Sequence, residues 1–137
     1  MAAAPPAADV VAVAEFRAAL RRFMRISERN ARSAGLTPQR YLLLLMIKGA
    51  PDGSEQSTVT ELAERLQLAQ STVTELVGRA EETGLVERER SVEDGRIAHL
   101  RLTPEGERRL ADCYTSNASE RTALREAFGS LDDAIVA

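Results

Sequence analysis

Residues 57–106 read STVTELAERLQLAQSTVTELVGRAEETGLVERERSVEDGRIAHLRLTPEG, and the changing periodicity of this stretch decides the fold. Ser57 or Thr58 caps a first helix. Glu61 stands three residues after Thr58, the spacing of a capping box, and Val59, Leu62, Ala63 and Leu66 share the inward side. A second helix runs from about Gln70 to Thr83, burying Val73, Leu76, Val77 and Ala80, and Gly84 supplies its stop. From Leu85 onward the apolar period shortens from that of a helix to that of a strand. Leu85–Arg90 and Arg96–Leu102 read as two strands joined by a turn at Glu93, Asp94 and Gly95. Ala98, Leu100 and Leu102 share one face of the second strand; His99 and Arg101 share the other. Thr103 and Pro104 then start another helix. Two short helices with a tight turn, followed by a β-ribbon, make a helix-turn-helix with a wing over residues 57–103. Such a unit fits DNA, because a helix can lie in the major groove while a ribbon reaches the neighbouring backbone or minor groove.

The flanks are helical. Residues 1–9 are rich in Ala and Pro and predict a disordered tail, having little to bury against the ordering entropy. A first helix is expected from about Val10 to Ser33, with Val13, Phe16, Leu20 and Phe23 at helical spacing and Gly35 behind it. Thr37 and Pro38 cap the next helix, in which Tyr41 to Ile47 form an unbroken apolar run that demands burial on nearly all sides. Gly49, Pro51, Asp52 and Gly53 mark a loop. Beyond Pro104 the chain reads as helix to near its end, with an apolar stripe of Leu124, Phe128, Leu131 and Ile135. The expected fold is therefore mostly α with a small β component, a single domain over residues 10–137. Residues 10–34 and 104–137 flank the winged unit and carry more apolar surface than one chain can cover. A homodimer, with Val13, Phe16, Leu20 and the Leu124, Phe128, Leu131, Ile135 stripe at its interface, covers both.

Composition narrows the function. The chain has 137 residues, of which 44% are hydrophobic, enough for one modest domain. No apolar run approaches the roughly 18 residues of a membrane span, and the N-terminus lacks the pattern of a secretory signal, so no membrane partner and a cytoplasmic location are expected. One Cys and one His exclude a disulfide framework and a Cys/His zinc site. No glycine loop resembles a phosphate cradle, and the lone His has no nucleophile to serve. Neither enzyme activity, metal nor cofactor is expected. The net charge of -3 means that affinity for nucleic acid has to come from a local patch.

Candidate DNA contacts follow from position. Gln70, Ser71, Thr72 and Thr74 occupy the first turns of the second helix, where Gln can pair with adenine and hydroxyls can reach phosphate. Individually they read equally as caps or solvated polar groups. Glu75 either accepts from a cytosine amino group or supports the helix through Arg79 four residues on, the simpler reading. In the hairpin, Arg88, Arg90 and Arg96 supply the positive charge, and Asp94 stands where it can orient the Arg96 guanidinium toward a minor groove. The competing reading of Arg96 is a solvated turn with a weak ion pair. Arg17, Arg21, Arg25, Arg29 and Arg32 form a stripe on the first helix that leads toward phosphates or pairs with acids of a partner's last helix. Cys113 reads as a small buried residue rather than a redox sensor, because no neighbouring base depresses its pKa. Tyr41 and Tyr114 either line an effector cavity or pack normally.

Gly84-Leu85-Val86, Arg88, Glu93-Asp94-Gly95-Arg96, and Leu102-Thr103 before Glu105-Gly106 resemble the wing signature of MarR-type regulators, and Ser71-Thr72-Val73-Thr74 is similar to that family's recognition helix. The resemblance extends over residues 10–137. It implies a winged-helix homodimer on a pseudo-palindromic operator, joined through its terminal helices, with a small-molecule or redox effector altering the spacing of the DNA-reading lobes. The sequence names no effector-binding residues and leaves the sign of regulation open; repression is the expectation. This chain departs from the family pattern at Ala69, where a capping Ser is usual, at Glu75 and Glu89, where neutral or basic residues are usual, and at Gly95, where a second Arg is frequent. One Arg against three acids between Gln70 and Glu82 gives net -2 there. Those departures motivate a rival reading, an interaction protein whose DNA surface has decayed and which acts as a decoy or antirepressor partner.

Overall fold

The computed structural model describes residues 3–136. Its elements are α1 (Ala7–Ser33), α2 (Pro38–Lys48), β1 (Gln56–Ser57), α3 (Val59–Leu66), α4 (Gln70–Glu82), β2 (Val86–Arg90), β3 (Ala98–Leu102), α5 (Pro104–Ser116) and α6 (Ala118–Val136). The mostly helical winged architecture expected from the periodicity is the one observed. Helix α1 starts at Ala7, before the expected Val10, so residues 7–9 belong to the helix and not to a tail. Pro6 enters it with φ -56 and ψ 139, and Asp9 lies in the first turn, where a carboxylate favours the positive helix end. Met1 and Ala2 lie outside the described residues.

Three further boundaries correct the sequence reading. Gln56 and Ser57 form a short strand, pairing with Arg101 and Leu100, so the ribbon is a three-stranded antiparallel sheet in the order β1-β3-β2. Thr58 is then the cap of α3, and both halves of its capping box with Glu61 are present. The segment from Pro104 to the end is two helices rather than one, broken at Asn117. The strands of the wing are Val86–Arg90 and Ala98–Leu102, and the chain between them is longer than the three-residue turn expected. Ser91 N–H donates to the Ile97 carbonyl at 2.8 Å and Ile97 N–H to the Asp94 carbonyl at 3.0 Å. Gly95 does not adopt a positive φ in this loop.

Helix α2 runs through the middle of the core. Tyr41, Leu43, Leu44 and Ile47 are buried, together with Leu62 of α3, Val73 and Val77 of α4 and Leu100 of β3. The run from Tyr41 to Ile47 is not enclosed throughout, since Leu42 is 41% exposed. A helix has a far side, and here Leu42 lines an open apolar cavity with Phe23 and Met24 of α1.

Two close couplings shape the molecule. At the α5–α6 break, Asn117 is 1% exposed. Its side-chain carbonyl accepts from Asn30 Nδ2 at 2.7 Å, and its amide donates to Ser27 Oγ at 3.3 Å and Tyr41 Oη at 3.4 Å. α1, α2 and the start of α6 thus meet on one side chain. α6 then runs back along α1, where Phe16 and Phe128 meet edge to face with centroids 6.1 Å apart.

The second coupling joins the end of α4 to the start of α5. Gly84, at φ +74, lets Leu85 N–H return to the Ala80 carbonyl at 2.9 Å, which stops α4. Thr103 Oγ1 donates to the Gly84 carbonyl at 2.6 Å and accepts from Gly106 N–H at 3.1 Å, capping α5 while holding it against that turn. Gly106 is required by the approach, because a Cβ there would lie 2.1 Å from the Leu85 carbonyl oxygen. Gly106→Ala is expected to destabilise the fold by about 1 to 3 kcal/mol, the usual cost of overpacking. Gly78→Ala, in α4 with nothing within 4 Å, is expected to stabilise by roughly 0.5 to 1 kcal/mol. Chemical denaturation of both variants checks the pair; equal midpoints would show that the Gly106 contact is not tight.

Candidate nucleic-acid interface

Helix α4 buries Val73, Leu76, Val77 and Ala80 and turns Ser71, Thr74 and Glu75 outward, with Gln70 and Arg79 exposed on its flanks and Thr72 half-buried. The apolar positions fix this rotation, so the polar face is a consequence of core packing. Ala69 is the N-cap and offers no side-chain hydrogen bond, which leaves the first N–H groups of α4 without the usual hydroxyl partner. Gln70 is tied back, its Nε2 lying 3.4 Å from Thr60 Oγ1 at the start of α3. Arg79 lies 3.5 Å from Glu75, the helical pair anticipated from their spacing.

The wing presents Arg96 with its side chain 91% exposed. Asp94 holds it through three hydrogen bonds: Oδ1 accepts from the Arg96 backbone N–H at 3.0 Å and from Nε at 3.2 Å, and Oδ2 accepts from Nη2 at 3.3 Å. The same guanidinium holds the Asp94 carboxyl below its ordinary pKa. A guanidinium held at its root but open at its tip is suited to entering a narrow groove. Arg90 plays a different part, since its Nη1 donates to the Gly95 carbonyl at 2.6 Å and braces the loop. Arg88 reaches back to α4, with Nη2 2.8 Å and Nε 3.4 Å from the two carboxylate oxygens of Glu81.

Between α3 and the wing lies an open groove lined by Thr58, Val59, Thr60, Arg88, Arg96 and Ile97. It brings two of the expected arginines onto one surface with hydroxyls that the sequence reading passed over. Thr58 reads from sequence only as a cap, Thr60 has no role there, and the return of β3 beside α3 brings both into the groove with the wing. Arg101 is on the outer face of the sheet, pairing with Glu89 at 3.1 Å and Glu87 at 3.8 Å.

The remaining candidates separate. Tyr41 lines an apolar cavity of about 130 Å³ between α1 and α2, with Phe23, Met24, Ser27, Leu42 and Leu45. Tyr114 lies elsewhere, in a groove between α2 and α5, with the Arg121 guanidinium 3.6 Å from its ring centroid. The two tyrosines do not share a cavity. Cys113 is fully buried, its Sγ 3.8 Å from the Asn30 carbonyl, and burial pushes the thiol pKa up, the opposite of what a reactive cysteine needs. Among the described residues no cluster of three or more His, Cys, Asp or Glu side chains is placed to hold a metal ion, and no helix is long and apolar enough to cross a membrane.

Comparison with known proteins agrees with this geometry. The family model described as the MarR family matches residues 34–97. The chain is 30% identical over 129 residues to the uncharacterized HTH-type transcriptional regulator YsmB of Bacillus subtilis, covering 91% of this chain and 84% of that one. It is also 30% identical over 94 residues to the HTH-type transcriptional repressor YetL of the same organism, covering 69% of this chain and 55% of that one. In fold it is similar to a mutant MarR from E. coli complexed with operator DNA, with a TM-score of 0.65 at 20% identity over 79% of this chain and 75% of that one. A buried scaffold that exposes a polar helix and an arginine-tipped wing, together with these likenesses, places the chain in the MarR family of DNA-binding transcription regulators.

Proposed function

We propose that the protein is a signal-responsive repressor that binds a pseudo-palindromic operator as a homodimer and acts by binding alone. The observation that carries the DNA-reading half is the Asp94–Arg96 fork, which shares a groove with Thr60 of α3, the residue to which Gln70 of α4 is tied. A recognition helix and a wing tip on one side of the molecule match a major groove and an adjacent minor groove. Gln70, Ser71, Thr72, Thr74, Glu75 and Arg79 are the helix contacts in this reading, and Arg88, Arg90, Asp94 and Arg96 those of the wing. Repression is supported by the likeness to YetL, which is named a repressor.

Dimerisation is supported by apolar surface left over after α1 and α6 pack. Val13 is 47% and Phe128 56% exposed, and Val10 and Val11 lie further along the same helix. Phe16 spends part of its ring on Phe128 of its own chain, while Leu20, Leu124 and Leu131 are half-buried. The side chain of Ile135, the last member of the expected stripe, lies outside the described residues. An effector site is supported by the cavity beside Ser27 and Tyr41, whose hydroxyls also touch Asn117 where the two lobes join. The decoy reading retains one observation in its favour, the acidic partner beside each of Arg79, Arg88 and Arg96.

Arg96→Ala is expected to weaken operator binding roughly 10- to 100-fold while leaving the thermal midpoint unchanged, because the side chain is exposed. Asp94→Ala is expected to do less. Fluorescence polarisation at matched salt, on the intergenic duplex beside its own coding sequence, checks this. Unaltered affinity of the Arg96 variant would remove the wing from the reading, and absence of wild-type binding at low salt would favour the decoy.

Leu131→Asp is expected to raise the dimer dissociation constant by about 100-fold or more, since dimerisation would bury an unpaired charge. Light scattering across a concentration series reads this out. A wild type that is monomeric at micromolar concentration would overturn the dimer.

A further inference from the structure

The arginines fall into two populations. On α1, Arg17, Arg21, Arg22, Arg25, Arg29 and Arg32 make no ion pair among the described residues. On the reading face, Arg90 is held by the Gly95 carbonyl and the other three are paired with acids. Arg79 is occupied by Glu75, Arg88 by Glu81 and Arg96 by Asp94. Six Arg stand against nine acids over residues 57–103, giving -3 on the lobe that meets DNA, and six Arg against three acids over α1 give +3. Nonspecific affinity for DNA arises from cations that release counterions from phosphate, and these three cations of the reading face are each already paired.

The three acids are not equivalent. Asp94 also accepts a backbone N–H of the wing loop, so it has a structural duty. Glu75 and Glu81 have none: each side chain hydrogen-bonds only to its arginine among the described residues. Both pairs are open to water, with side-chain exposures of 71% and 62% for Glu75 and Arg79, and of 32% and 42% for Glu81 and Arg88. Pairs of this kind are weak and easily traded. The Glu81–Arg88 pair uses two nitrogens on two oxygens, the geometry with which a guanidinium also takes a phosphate.

We propose that Glu75 and Glu81 are internal phosphate surrogates, occupying Arg79 and Arg88 in the free protein and exchanged for DNA phosphates on binding. They set the strength and salt sensitivity of DNA binding without contributing to base choice. The proposal rests on the DNA-binding reading above. After the exchange each released carboxylate stays within the field of the DNA, so binding is opposed by a repulsion that salt screens. The opposition is the same on every sequence, because it is exerted by the backbone.

Glu81→Gln keeps the side-chain shape and removes the charge. It is expected to tighten binding to the intergenic duplex and to a scrambled duplex of equal length by the same factor, about 5- to 10-fold near 0.1 M salt. The slope of log affinity against log salt becomes steeper by about 0.9, and by about 1.8 in the Glu75→Gln/Glu81→Gln double variant. Glu81→Asp, which retains the charge, is expected to keep the wild-type slope. Titration of all four proteins on both duplexes at several salt concentrations, with thermal midpoints, is the test. Unchanged affinity and slope overturn the proposal. So does a change in the ratio between the two duplexes, which assigns the acid to base reading, and so does weakened binding on both, which makes Glu81 a support for Arg88. Binding by the double variant where wild type shows none supports it. Failure of every protein on every duplex at low salt removes the DNA reading itself, and this proposal with it.

Discussion

A single buried amide holds the two halves of this molecule in register. Asn117 interrupts the C-terminal helical segment and satisfies its oxygen and nitrogen on Asn30, Ser27 and Tyr41. A buried amide left without partners costs on the order of 1 to 3 kcal/mol, so the arrangement that satisfies it is strongly preferred over neighbouring ones. α1 and α6 diverge from this point as an antiparallel pair, while α2 passes from it into the centre of the winged unit. The direction of the arm relative to the reading face is therefore a matter of hydrogen-bond geometry at one residue. The apolar cavity between α1 and α2 is lined by two of that residue's partners, Ser27 and Tyr41.

The reading face is placed by a second constraint of a steric kind. The turn after α4, the end of β3 and the first turn of α5 approach so closely that only glycine fits at position 106. Thr103 bonds to both sides of that contact. The end of α4, the end of β3 and the start of α5 are thus held together at one contact. The distance between helix and wing follows from this backbone packing, with Arg88 on Glu81 and Arg90 on the Gly95 carbonyl as side-chain braces.

Charge is distributed against the expectation for a DNA-binding protein of this size. The reading lobe is acidic in sum, and its arginines are held by neighbours, whereas the six arginines of α1 make no ion pair among the described residues. Such a surface has little long-range pull on DNA and relies on short-range fit once contact is made. It suits the proposed regulator, which has to leave its site when a signal arrives.

Much of this was legible in the residues themselves. The change from helical to strand periodicity at Leu85, the capping box at Thr58 and the Thr103-Pro104 start located the winged unit to within a few residues, because caps and periodicity are local physics. Asp94 and Arg96 were identifiable because they stand two positions apart in a tight turn, too close to avoid each other. The helix break at Asn117 was hidden, since nothing in its neighbours forbids helix and its reason lies in Ser27, Asn30 and Tyr41, far away in sequence. The β1 strand was equally hidden, being two residues long and stabilised only by β3. The pairing of Arg88 with Glu81 was hidden for a similar reason: they stand seven positions apart across a change of secondary structure, so the charge count did not show which charges meet. Sequence determined the winged unit, the helical character of its flanks and their order. Which side chains share a surface was decided by tertiary structure, because proximity across elements depends on packing that no local pattern encodes.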